Sequence, residues 1–339
     1  MTLGFLYAGQ GSQHPGMGAD LYEAYPAFRA VFDAACGAVD FDLKQTCFQD
    51  PNGILNQTRY TQPCMVAFAA ALTAVLAEKG ITPAAVSGLS LGEYSALHAA
   101  GAFDAETAVK LVAFRGKAME EAAQGHDSAM MAVLNLDEEA LQGACKEAAD
   151  LGVVVIANYN CPGQLVIGGD RAAVEKAAAI AKEKGARRCL PLKVSGPFHT
   201  PLMAPAGQAL HDYFKNVTFQ EPQIPVFFNC LGNIAAGPKT DIPQLLVRQV
   251  QSSVYMEQCI RNMAAGPIGV DLLVEIGPGK ALSGFAKKIV PDTPVVTVET
   301  SADVESLREN MEKEAAKKDA EREDRTRAAV EKAQKENTL

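Results

Sequence analysis

The chain has 339 residues, 48% of them hydrophobic, and a formal net charge of −9. That length and apolar content can bury a substantial core, in one large domain or a domain with a sizeable insertion. The acidic balance argues against nucleic acid as the main partner, because phosphate binding needs a basic surface. In chain order, LGFLYAG (3–9) reads as a buried strand that runs into the glycine-rich GQGSQHPGMG (9–18). PCMVAFAAALTAVLAEKG (63–80) reads as a long apolar helix ending at Gly80. AAVSG (84–88) is a short strand and LGEYSALHAAGA a helix; Asp104 then caps a helix over ETAVKLVAFRGKAMEEAA.

The middle of the chain changes pattern. SAMMAVLNL (128–136) reads as strand, EEALQGACKEAAD as helix, and VVVIANYN and QLVIGG as strands across a Pro-Gly turn. RAAVEKAAAIAKEKG follows as helix and RRCLPLKV as strand, giving β-α-β-β-α-β, the ferredoxin-like order. PVFFN (225–229), DLLVEIG (271–277) and PVVTVET (294–300) are strands again, separated by helices such as YMEQCIRNMAA. The alternation predicts an α/β fold whose mainly parallel sheet is covered on both faces. The expected organisation is a main sheet domain over residues 1–126 and 195–301, an inserted subdomain over 127–194, and a charged tail over 302–339. That tail mixes acids and bases closely, shows no heptad seam, and is expected to be a solvated helix or disordered.

Eight cysteines occur without a C-x-x-C pair, most of them inside apolar runs, so buried free thiols in a reducing compartment are expected and a metal site is not. The start MTLGFLYAGQGSQ is not a signal-peptide pattern, and no uninterrupted apolar run reaches membrane-spanning length. A cytoplasmic protein with no membrane partner is expected.

Several stretches can carry chemistry. GLSLGEY (88–94) brackets Ser90 with glycines, as in a nucleophile elbow. Equally, Ser90 with Glu93 three residues on forms the capping box of an ordinary helix start. The loop at 9–18 lacks the G-K-[ST] of a phosphate-binding loop, and its position after a parallel strand suits a backbone approaching a ligand. His199, in VSGPFHTPLM, lies between Pro197 and Pro201, so its backbone cannot be regular helix. Beside an elbow serine it is a candidate general base. Arg115 sits in an apolar helical stretch, where it either lies along the surface or clamps a substrate carboxylate.

The combination resembles the malonyl-CoA:acyl-carrier-protein transacylases of fatty-acid synthesis. The resemblance rests on GQGSQ, GLSLGEYSAL, RGKAM, NYNCPGQLVIGG, GPFHTPLM, LVRQV and EIGPGKALSG, which appear in family order up to about residue 300. It implies an α/β-hydrolase-like core with a ferredoxin-like insertion. By the same resemblance Ser90 would be the acylated nucleophile, His199 its base and Arg115 the partner of the malonyl carboxylate. The backbone N–H groups of Gln10 and Leu91 would form the oxyanion hole, Asn160 would line the site near His199, and Phe198 would crowd a 2-methyl branch. The substrate would be malonyl-CoA, the acceptor the phosphopantetheine of acyl carrier protein, with no cofactor and a monomeric enzyme. Arg187, Arg188, Lys193, Lys280, Lys287 and Lys288 are candidate docking charges for the acidic carrier.

Three positions depart from the family pattern: Ala8 stands where proline is common, Leu89 where histidine is common, and Tyr255 falls in a segment usually reading S-P-V-R/Q-W. A main-chain carbonyl from that last segment is expected to orient His199. A free-standing acyltransferase serving a polyketide synthase shares the chemistry. An esterase or thioesterase of the α/β-hydrolase class shares G-x-S-x-G but places its histidine late and uses an HGGG-type loop; neither feature occurs here.

Overall fold

A computed structural model describes residues 1–237 and 239–313. The strands are β1 (Leu3–Tyr7), β2 (Ala85–Gly88), β3 (Ser128–Leu134), β4 (Val154–Cys161), β5 (Gln164–Asp170), β6 (Arg188–Pro191), β7 (Val226–Phe227), β8 (Leu272–Ile276) and β9 (Val295–Val298). Five of them form a sheet in the order β7-β2-β1-β8-β9, with every pairing parallel. Helices cover both faces, so β1, β2 and β8 are buried along their whole length and read as unbroken apolar runs. The exceptions are Ser87, whose hydroxyl donates to Phe227 O at 2.9 Å, and Glu275, whose carboxylate accepts from the Leu282 and Ser283 amides at 2.9 and 2.7 Å. A buried acid is tolerated there because it faces the positive end of helix Ala281–Ile289.

The other four strands form an antiparallel sheet in the order β4-β5-β3-β6, in chain order β-α-β-β-α-β with helices Glu138–Ala148 and Arg171–Glu183. Val133, Leu141, Ile167 and Val174 pack there into a core of their own. The small sheet is tied through its edge strand to the segment that precedes helix Met256–Ala265. Tyr159 N–H donates to Val254 O at 2.8 Å and Val254 N–H to Ala157 O at 2.9 Å. The fold is therefore mixed α/β, with a parallel sheet and a second, antiparallel one.

Three local expectations are corrected. The long apolar helix spans Thr58–Glu78, starting five residues before the expected Pro63, which lies inside it. By length and mean hydropathy it could cross a membrane, although polar residues interrupt its apolar run; 78% of its most apolar window is buried inside the protein, which accounts for that composition. β7 is only two residues long, because Phe228 N–H leaves the ladder for Asn233 O at 2.9 Å and Asn229 turns inward. Residues 301–313 are helical, and Val304 and Leu307 (0% and 4% exposed) join the main core, so the charged segment does not begin as a solvated tail. Residues 314–339 of that segment lie outside the described residues.

Candidate active site

β2 ends at Gly88 and helix Gly92–Ala99 starts four residues later, so the chain reverses within GLSLG. A Cβ on Gly88 would lie 2.1 Å from the Gly92 carbonyl group, and one on Gly92 would lie 2.2 Å from Tyr7 O. Only glycine fits where these backbones cross. Ser90 has φ +52°, a left-handed conformation that costs a non-glycine residue of order 1–3 kcal/mol. It is not an N-cap. Leu91 holds that position without a side-chain cap, and the Ser90 N–H donates to Asn229 Oδ1 at 2.6 Å, not to Glu93. The capping-box alternative is therefore set aside.

His199 also has a positive φ, +61°, within the tight Pro197–Pro201 segment. Its Nδ1 meets Gln249 O at 2.9 Å and its Nε2 meets Ser90 Oγ at 2.6 Å. A carbonyl can only accept, so Nδ1 carries the proton and Nε2 is left as the acceptor for the Ser90 hydroxyl. Burial, and next the Arg115 charge, push the imidazole down to about 4, against the backbone carbonyls of Gln249 and Ser252 that favour its protonated form. At neutral pH the ring is an unprotonated base already in contact with a hydroxyl.

Arg115, on helix Ala105–Ala123, is 1% exposed. Its Nη2 donates to Ser90 Oγ at 3.2 Å and to Gln249 Oε1 at 3.0 Å, and its Cζ lies 5.5 Å from the Tyr94 ring centroid. Among the described residues its buried Nε has no acceptor. The surface-lying alternative for this arginine does not hold. A buried guanidinium with unspent donors beside a hydroxyl can take a carboxylate held next to that hydroxyl.

Gln249 links all three groups. Besides the two contacts above, its Nε2 donates to Ser90 O at 2.8 Å. The carbonyl on His199 Nδ1 thus comes from the end of helix Ile242–Val250, four residues before the 253–256 segment expected to supply it. Tyr255 stacks on Tyr159 of β4 instead, with centroids 4.8 Å apart.

The remaining expected residues are less closely drawn in. Neither the Gln10 nor the Leu91 backbone N–H bonds to another described residue, which leaves both donors unspent beside the elbow. The Gln10 side chain donates to Thr58 Oγ1 at 3.1 Å. Asn160 is buried at the irregular end of β4 with its Oδ1 unpartnered, and makes no hydrogen bond to Ser90, His199 or Arg115. Phe198 packs into the main core. Of the departures, Leu89 lies against Gly9 and Ala8 against Gly277, so both fill backbone crossings.

Residues 4–282 match the family model for the acyl transferase domain. The chain is 42% identical over 306 residues to the malonyl CoA-acyl carrier protein transacylase of Haemophilus influenzae, covering 90% of this chain and 97% of that protein. The chain belongs to the acyl transferase family, among the malonyl CoA-acyl carrier protein transacylases. Solved transacylases share the fold. An MCAT from Streptococcus pneumoniae aligns with a TM-score of 0.86 at 46% identity over 91% of this chain and all of that one. A malonyl-transacylase structure in complex with its type II PKS acyl-carrier protein aligns with a TM-score of 0.87 at 39% identity, over 91% and 100%.

Within this transacylase site, sequence reasoning missed Gln249, Asn229 and Glu93. Gln249 stood inside the quoted LVRQV, but half of its work is done by a carbonyl, which every residue carries. Asn229 ends a strand-like PVFFN. Glu93 was visible only as a capping residue; it is fully buried, its Oε2 accepts from the Asn229 N–H at 2.5 Å, and burial pushes its carboxyl up to about 8.

Proposed function

We propose that this chain transfers the malonyl group of malonyl-CoA to the phosphopantetheine thiol of acyl carrier protein, through a malonyl ester on Ser90, and so supplies fatty-acid synthesis. The observation that carries this reading is one hydroxyl, Ser90 Oγ, lying 2.6 Å from an unprotonated His199 Nε2 and 3.2 Å from Arg115 Nη2. The chain's relatives among malonyl CoA-acyl carrier protein transacylases support the substrate.

Ser90 Oγ attacks the thioester carbonyl as His199 takes its proton. The oxyanion forms against the Gln10 and Leu91 amides at the start of helix Gly92–Ala99, where the helix dipole also favours negative charge. Collapse breaks the C–S bond, and the histidine returns its proton to the departing coenzyme A sulfur. The phosphopantetheine thiol then gives its proton to His199 and attacks the malonyl-serine, which regenerates the Ser90 hydroxyl. Each oxyanion donor is worth about 3 kcal/mol. Arg115 holds the malonyl carboxylate and leaves acetyl-CoA disfavoured, since a desolvated guanidinium then lacks its counter-charge. No step calls for a cofactor.

We read the architecture as an α/β-hydrolase-like core over residues 1–126 and 195–301 with a ferredoxin-like insertion at 127–194; the β4-β5-β3-β6 order supports this. For the carrier protein, exposed Arg187, Arg188 and Lys193 lie with exposed Leu190, Leu192 and Val194 on β6 and the segment that leads from it to the His199 loop. Lys280, Lys287 and Lys288 are exposed as well. These charges suit an acidic partner.

Intact-mass analysis after mixing with malonyl-CoA or acetyl-CoA tests the reaction. The wild type is expected to gain one malonyl group, and Ser90→Ala none. Arg115→Ala is expected to form the malonyl adduct about 100-fold more slowly, with acetylation little changed or faster. Equal losses with both thioesters overturn the clamp, and an unmodified wild type overturns the reaction.

A further inference from the structure

We infer that Asn229 is a positioning residue that locks the Ser90 elbow from beneath, its carboxamide bridging the two sides of the turn and its backbone anchored on Glu93. The inference rests on the acyl-transfer reading of Ser90 and adds a residue behind it. Asn229 is 0% exposed and touches none of the reacting atoms. Its Oδ1 accepts from Ser90 N–H at 2.6 Å, and its Nδ2 donates to Gly88 O at 2.7 Å. The orientation of the amide is forced, because a backbone N–H can only donate and a carbonyl only accept. One side chain therefore satisfies both peptide groups that the left-handed Ser90 turns away from strand and helix partners.

Asn229 is itself held at both ends. Its N–H donates to Glu93 Oε2 at 2.5 Å and its carbonyl accepts from Tyr255 N–H at 2.9 Å. Glu93 belongs to the helix that the elbow starts, so the clamp closes on the element it positions. The arrangement also commits the Ser90 N–H to Asn229, which leaves the Leu91 and Gln10 amides as the donors for an oxyanion. Asn229 is a neutral donor–acceptor pair; no apolar isostere and no carboxylate reproduces it.

Single-turnover acylation of Asn229→Ala and Asn229→Asp tests the assignment. The alanine variant is expected to acylate about 100-fold more slowly, with KM for malonyl-CoA within about threefold of wild type. In the aspartate variant one oxygen still accepts from Ser90 N–H, but the other can donate to Gly88 O only when protonated. Its rate relative to wild type should therefore rise as pH falls from about 8 to 5.5, a trend that a purely structural defect would not produce. Glu93, Arg115 and His199 face the elbow, and Cys230 and Cys259 flank Glu93; the ratio removes their own titration but not their coupling to the new carboxylate, which for Glu93, bonded to the Asn229 N–H, also favours a protonated aspartate and leaves the direction of the trend unchanged. A folded alanine variant acylating within threefold of wild type, or a pH-independent ratio, overturns the assignment; should alanine not fold, the aspartate ratio decides. Labelling of Ser90 by phenylmethylsulfonyl fluoride separates the two readings. Wild type labelled by the fluoride but not by malonyl-CoA sinks the proposed reaction. Asn229→Ala labelled as fast as wild type sinks the positioning role.

Discussion

His199 shows how burial sets the chemistry of one side chain. An ordinary imidazole near 6.5 would be largely protonated in mildly acidic buffer and useless as a base. Here desolvation and the Arg115 charge depress it to about 4. The sign follows directly: the reactive neutral form is present above that value and lost below it. Single-turnover acylation is expected to stay level from about pH 8 to 6 and to fall only in the more acidic range; an inflection near 6.5 would contradict the depressed value. Linkage adds a stability effect. As pH drops through 6.5 the unfolded chain takes up a proton that folded His199 refuses, so this residue's contribution to stability declines from there toward pH 4. Ser90, His199 and Arg115 were legible in the sequence because a hydroxyl, an imidazole and a guanidinium in unusual settings are chemically conspicuous. Gln249 and Asn229 were not. They act through amide and carbonyl groups, and only the fold shows that His199 Nδ1 ends on a carbonyl 50 residues away.

Among the elements, the glycines of the elbow are steric requirements. Helix Gly92–Ala99 must pass so close to the end of β1 that a methyl at Gly92 would meet Tyr7 O at 2.2 Å and Ala8 O at 2.9 Å. Gly92→Ala is expected to destabilise the protein by about 3 kcal/mol, the upper range for an overpacked site, and to misplace Ser90 even where it folds. Gly284 provides the contrast. It lies within helix Ala281–Ile289 with open space around it. Gly284→Ala should be neutral or stabilise by up to about 1 kcal/mol. Thermal unfolding of the two variants checks this, and equal shifts would refute the crossing argument. Strands such as LGFLY and LLVEI could be read in advance because both faces are apolar, Glu275 apart. The end of β7 could not, since Asn229 is withdrawn from the ladder by a hydrogen-bonding need that local propensity does not record.

At the scale of the whole molecule, the acidic and basic segment after residue 301 looked like a solvated appendage because charges dominate its composition. Within residues 302–313 its three large apolar residues, Val304, Leu307 and Met311, nevertheless recur at intervals of three and four, one face of a helix. That face packs on the main core, with Met311 partly buried beside it. The polar face is tied down as well. Glu305 meets Lys79 Nζ and Tyr25 Oη, both at 2.9 Å, and Ser301 N–H donates to Asp20 at 2.7 Å. The helix thus joins the N-terminal region to the end of helix Thr58–Glu78 and belongs to the same cooperative unit. Leu307→Ala should cost about 2–4 kcal/mol and lower the single main unfolding transition by roughly 3–6 °C. Glu309→Ala, on the exposed side, should leave it within about 1–2 °C. If truncating Leu307 left the main transition in place, or produced a separate low-temperature step, the segment would be an appendage after all and the core would close at β9.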